Sequence, residues 1–141
     1  MWLYFALIAA ILWGFNYALA ERILSHISAF TLLAFEMLVG AVIFSILSYC
    51  YHLKRDLILL KTIPHLALIT TCEVVVVSLA SYFICISVQA KNATMSGIIE
   101  LIYPIFIIFF SWLLFDQNHV TPLVIIGGLF IFIGVILLII P

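Results

Sequence analysis

Five stretches of the chain are apolar almost without interruption, at about residues 2–21, 29–51, 66–89, 93–115 and 121–140. Each is roughly 20 residues or longer, enough for a helix to cross about 30 Å of hydrocarbon. A helix also satisfies its own backbone hydrogen bonds, which lipid demands because it offers no partners. The pattern therefore predicts five membrane-spanning helices. The connections are short: "ERILSHIS" after the first, "HLKRDLILLKTIPH" after the second, "AKNA" after the third and "DQNHVTP" after the fourth. The second connection reads as a loop with a charge cluster, and Pro122 suits the first turn of the last helix. None of these segments is long enough to form a domain, so residues 1–141 are expected to be one transmembrane domain.

Composition agrees. The chain has 141 residues, 68% of them hydrophobic and 8% charged. A water-soluble fold of this length cannot hide that much apolar surface. The net charge of -1 gives no reason to expect nucleic acid or an anionic membrane surface as a partner. Cys50, Cys72 and Cys85 match no zinc or redox spacing, so no disulfide is expected. "MWLYFALIAAIL" and the "ALA" at 18–20 have the look of a secretory leader. No Lys or Arg precedes the apolar core, however, and Trp13, Gly14 and Asn16 occupy the would-be cleavage region, so cleavage is not expected. The "NAT" at 92–94 reads as a chance glycosylation sequon at the membrane surface.

An odd number of spans puts the termini on opposite sides. Lys54, Arg55 and Lys61 oppose Arg22 and Lys91, which favours a cytoplasmic N-terminus by three to two. So slight a bias leaves both orientations open. Ala6, Ala10, Gly14 and Ala18 line one face of the first helix, and Gly127 and Gly134 one face of the last; both stripes suit close helix packing.

Three acids fall inside these spans, Glu36, Glu73 and Glu100, with no Lys or Arg among them. A charged side chain at the bilayer centre costs about 3 kcal/mol even on lenient scales, so such residues tend to mark ion or substrate paths. The plain alternative is a neutral or hydrogen-bonded Glu that ties helices together. Glu36 and Glu100 each stand about seven residues into their helices, which start on the same side, so both sit roughly 10 Å below one surface. Asn16 approaches that level from the other direction and shares a face with Trp13 and Tyr17. Glu73 enters from the opposite surface. In an antiparallel pair of chains the partner's Glu73 would reach the level of Glu36 and Glu100. Pro104 has no N–H to give to the carbonyl of Glu100, so one turn offers a free carbonyl beside a carboxylate. That combination suits a proton or cation site, or else an ordinary kinked packing helix. Tyr82, Ser78, Ser81 and Tyr103 are further candidates to line a cavity. The four histidines, His26, His52, His65 and His119, read as surface or helix-end residues without metal spacing. There is no nucleophile–base pair, no phosphate loop and no HEXXH, so an enzyme is not expected.

Three stretches, "LWGFN" at 12–16, "ATMSGIIELIYPIFIIFFSWLLFDQ" at 93–117 and "GGLFIFIGVILL" at 127–138, give the chain a family likeness. It resembles an EamA-like domain of the drug/metabolite transporter superfamily over nearly its whole length. The resemblance implies an all-α integral membrane protein whose five transmembrane helices form one half of an inverted-repeat transporter fold. Family members usually carry two such repeats, so a single repeat implies a homodimer, with an antiparallel arrangement open to it. Two departures bear on the solute. Glu36 stands where the family often has a basic residue, and Gln117 where it often has Glu. An acid in place of a base disfavours an anionic solute and points to a cation, an amine or a proton-coupled neutral compound.

The expected function is thus a proton-coupled secondary transporter, an exporter of small organic solutes such as drugs or metabolites, in the inner (plasma) membrane. Glu36, Glu73 and Glu100 would take protons or cations, and Asn16, Trp13 and Tyr17 would meet the solute. Pro104 would shape the fourth span. No metal or cofactor is implied beyond coupling protons. Two alternatives remain: a cation exporter of the small multidrug-resistance type, and a non-transporting membrane subunit of a larger complex. Neither the solute, the direction of travel, the coupling ion nor the dimer geometry can be read from the residues.

Overall fold

The computed structural model describes residues 1–117 and 120–139, with the side chain of Ile139 left out; His119 lies outside this range. The described residues form helices and no strands. In chain order these are α1 (Trp2–Leu24), α2 (Ala29–Tyr51), α3 (Leu53–Thr62), α4 (Pro64–Ala90), α5 (Ala93–Glu100), α6 (Tyr103–Phe115) and α7 (Pro122–Ile139). Four apolar segments are long enough to cross a membrane: Trp2–Leu24, Ala29–Tyr51, Pro64–Ala90 and Ala93–Phe115. The fifth expected span corresponds to α7, which is shorter.

Helix ends follow local chemistry. Ser28 caps α2, its hydroxyl accepting the Thr31 N–H at 3.3 Å. Asn92 caps α5 by accepting the Met95 N–H at 2.8 Å, so the asparagine of the "NAT" sequon serves as a helix cap. Pro64 begins α4, where a missing N–H costs nothing. This lengthens that helix by two residues beyond the expected start at 66 and moves Glu73 deeper, to about 13 Å from its first residue. At its far end α1 runs on to Leu24, taking Glu21 and Arg22 into the last turn, where a cation suits the helix dipole. Asp116 ends α6 in the left-handed region at φ 53°, and the Gln117 N–H reaches back to the Ser111 carbonyl at 3.1 Å.

The segment expected to be a loop between the second and third spans is instead α3. Leu53, Leu57 and Leu60 recur at i, i+4 and i+7. Asp56 in the first turn and Lys61 in the last both complement the helix dipole. Ten residues broken by four charges do not look like a span, and that hides the helix from a search for long apolar runs.

The chain divides into two compact units, one formed by residues 1–19 and 91–141, the other by 20–90. In the second unit α2, α3 and α4 pack on one another. Its buried residues are Ala20, Leu24, Ala29, Leu32, Cys85 and Val88. The Gln89 side-chain amide donates to the carbonyl of Leu24, the last residue of α1, at 3.0 Å, and so satisfies an end that the helix itself leaves open. Phe30 and Tyr82 stack with ring centroids 5.1 Å apart. The hydroxyls of Thr70, Thr71 and Ser78 turn back onto carbonyls of their own helix, at 2.8, 2.9 and 2.8 Å. In the first unit α5 packs on α7, and Ala93, Ser96 and Val135 are buried.

Candidate functional site

The fourth expected span is not one continuous helix. Helical geometry stops at Glu100 and resumes at Tyr103. Between them the Leu101, Ile102 and Ile105 N–H groups bond the carbonyls three residues back, Ile98, Ile99 and Ile102, at 3.1, 3.2 and 3.1 Å. Pro104 explains the break. Its ring crowds the carbonyl of residue 100, and the turn ahead of it tightens to relieve the clash. The break leaves Glu100 at the end of a short helix in the interior of an apolar segment.

Against this helix end lies α1. The Tyr17 hydroxyl donates to the Glu100 carboxylate. A phenol–carboxylate bond is charge-assisted when the acid is ionised. Trp13, one turn earlier on α1, contacts Tyr17 with ring centroids 6.0 Å apart and planes tilted by 37°. Gly97 and Glu100, three residues apart on α5, share a face. A Cβ at position 97 would stand 3.9 Å from Cδ2 and Cε2 of the Tyr17 ring, so the ring lies directly over the glycine. Trp13, Tyr17 and Glu100 therefore form one group of two aromatic rings and an acid. Asn16 is half-buried on the neighbouring face of α1.

Glu100 itself is exposed on the single chain. So are Glu36 on α2 and Glu73 on α4, both in the second unit. Cys85 on α4, which is buried, lies within electrostatic reach of Glu36. No hydrogen bond or ion pair to Glu73 is formed among the described residues. Cys50, Cys72 and Cys85 are free thiols. No group of three or more His, Cys, Asp or Glu side chains suited to a metal occurs among the described residues.

The whole of this arrangement falls inside residues 1–140, which match the EamA-like transporter family. The chain belongs to that family. No curated protein and no solved structure matches it. Members of the EamA family are membrane transporters of small solutes, not enzymes. The four long apolar segments agree with a multi-pass membrane protein. The helix break at Leu101–Ile102 is a place where irregular backbone can offer polar groups within an apolar segment.

Gly97 was not singled out in the sequence. Its signal, in retrospect, is the "SGIIE" spacing, which puts a residue without a side chain one turn before an acid. On its own that spacing is common. Only the Tyr17 ring over it gives the glycine a role.

Proposed function

We propose that the protein is a proton-coupled secondary transporter, exporting small organic cations, amines or neutral metabolites across the plasma membrane as a homodimer. The observation that carries the reading is the acid held by a tyrosine at a helix break inside an apolar segment. Such a group binds a proton or a cation and exchanges one for the other, because each neutralises the same carboxylate. Coupling follows from that competition, and no cofactor beyond the proton is needed. Residues 1–141 act as one domain, with five spans. In it α5 and α6 together make the fourth span, and α7, 18 residues and about 27 Å long, makes the fifth.

The dimer reading rests on what a single chain leaves uncovered. Glu36, Glu73 and Glu100 are all exposed on it. Facing lipid, each would be strongly unfavourable. A Cβ added at Gly14, Gly127, Gly128 or Gly134 would meet nothing within 4 Å among the described residues, so these small-residue faces are open to another helix. A second copy, to which an antiparallel arrangement is open because the charge bias between loops is slight, would shield these acids from lipid.

Labelling separates this reading from a non-transporting subunit. With Cys50, Cys72 and Cys85 replaced by alanine, single cysteines at Asn16 and Glu36 should react with a membrane-impermeant maleimide added from either side of a bilayer. Labels that fail from both sides would place these residues in a sealed interface and remove the passage.

A further inference from the structure

The unexpected helix α3 is held at the membrane surface by covalent geometry. His52 alone separates it from α2 and Ile63 alone from α4, and both neighbours are candidate spans. At ten residues and about 15 Å it cannot cross a bilayer. Successive residues are about 100° apart around the helix, and this sorts its side chains into two arcs. Leu53, Leu59, Leu60 and the following Ile63 are half-buried on the side that packs against α4 and α2. Asp56, the acid of the segment, is exposed but falls on this arc in projection, between Leu59 and Leu60. The remaining arc carries, in angular order from the edge beside Leu53, Leu57, Lys61, Lys54, Ile58, Thr62 and Arg55, all exposed; Leu57 is 45% and Ile58 61% exposed.

Two bare apolar side chains set among three cations suit neither water nor hydrocarbon. Water leaves Leu57 and Ile58 unburied, and hydrocarbon strands the charges. The boundary between the two accommodates both, with the apolar pair inserted below the headgroups and the lysines and arginine extended to phosphate level. We propose that this arc docks in the membrane plane on acidic phospholipid headgroups, so that α3 fastens the ends of α2 and α4 to an anionic leaflet. The proposal commits to lipid rather than to a soluble partner because both ends of the helix are tied to spans, and because all three cations lie on the outward arc while the acid lies on the inward one. It is independent of whether Glu100 carries protons. The reading makes Lys54, Arg55 and Lys61 a lipid-binding set in addition to a signal for orientation.

The test is lipid selectivity of the full chain in phosphatidylcholine bilayers, read by electron spin resonance of spin-labelled phosphatidylglycerol against spin-labelled phosphatidylcholine. The native chain should hold the acidic lipid preferentially. Replacing Lys54, Arg55 and Lys61 together by glutamine should lower that preference at least 5-fold, since each cation near an anionic surface contributes appreciably. Replacing Arg22 and Lys91 by glutamine should lower it by less than 2-fold. Inorganic phosphate should compete no better than sodium chloride of equal ionic strength. An unchanged preference in the triple variant would overturn the proposal; it would mean that a second copy or another partner covers the arc. Stronger competition by phosphate than by chloride would overturn it as well, in favour of a free-anion site. Ile58→Asn supplies a check that leaves the charge intact: it should weaken acidic-lipid retention without abolishing it, and no change would argue against insertion of the apolar pair.

Discussion

Glu100→Gln should lower solute flux in proteoliposomes by roughly 100-fold and abolish its dependence on pH. The substitution keeps the size and the hydrogen-bonding length of the side chain and removes only its capacity to ionise. The Tyr17 hydroxyl can still donate to the amide oxygen, so packing at the end of α5 should survive. What is lost is the exchangeable charge. On the proposed competition between a proton and a cation for this carboxylate, apparent cation affinity should weaken as pH falls. More protons would leave less free carboxylate, so binding is expected to be weaker at low pH and stronger at high pH. In the glutamine variant affinity should be low and flat across pH. Isothermal titration of purified chain with a panel of amines and quaternary ammonium ions, at several pH values, checks both statements. A variant that bound as the native chain does would remove Glu100 from the coupling site.

The second large effect is steric. Gly97→Leu should cost 10- to 100-fold in flux, whereas Gly97→Ala should stay within about threefold of the native chain. An alanine Cβ would sit 3.9 Å from two atoms of the Tyr17 ring, an ordinary contact. The three further carbons of leucine need the volume the ring occupies. The ring must then swing away and carry its hydroxyl off Glu100. A hydrogen bond to a charged group contributes about 1.5–3 kcal/mol, which sets the expected range. Tyr17→Phe removes the same bond without moving the ring, so it should reproduce the leucine phenotype in flux. The two variants should differ in one respect: the phenylalanine chain should keep native thermal stability in detergent to within a few degrees, and the leucine chain should fall below it. If Gly97→Leu and Tyr17→Phe both transport normally, the Tyr17–Glu100 contact has no part in function.

The long helices were legible in the sequence because lipid leaves a chain so few choices. A largely apolar run from Ala29 to Tyr51 has no fold available in lipid other than a helix, and the Ser28 cap sets its start at Ala29. The same reasoning failed for α3. A short surface helix announces itself only by which side chains share a face, and the Leu53–Leu57–Leu60 repeat was masked by the charges around it. Pro104 foretold irregular backbone near Glu100. It did not reveal that the helix would part at Leu101–Ile102, since that depends on which carbonyls the tightened turn recruits. Tyr17 and Glu100 were each visible as polar residues in apolar surroundings. Their bond was not, because 83 positions separate them and only packing of α1 on α5 brings them together. Gly97 was silent for the same reason: an absent side chain acquires meaning from its neighbour.

The proposed function requires that acids within the membrane couple solute movement to protons. The most direct measurement uses proteoliposomes loaded with a radiolabelled amine, under a pH gradient imposed in one direction and then in the other, with the native chain beside Glu36→Gln, Glu100→Gln and the pair combined. The account predicts that efflux speeds up when the outside is the more acidic, slows when the gradient is reversed, and ignores the gradient in the double variant. Efflux that is insensitive to the gradient in the native chain, or equally sensitive in the double variant, would contradict it.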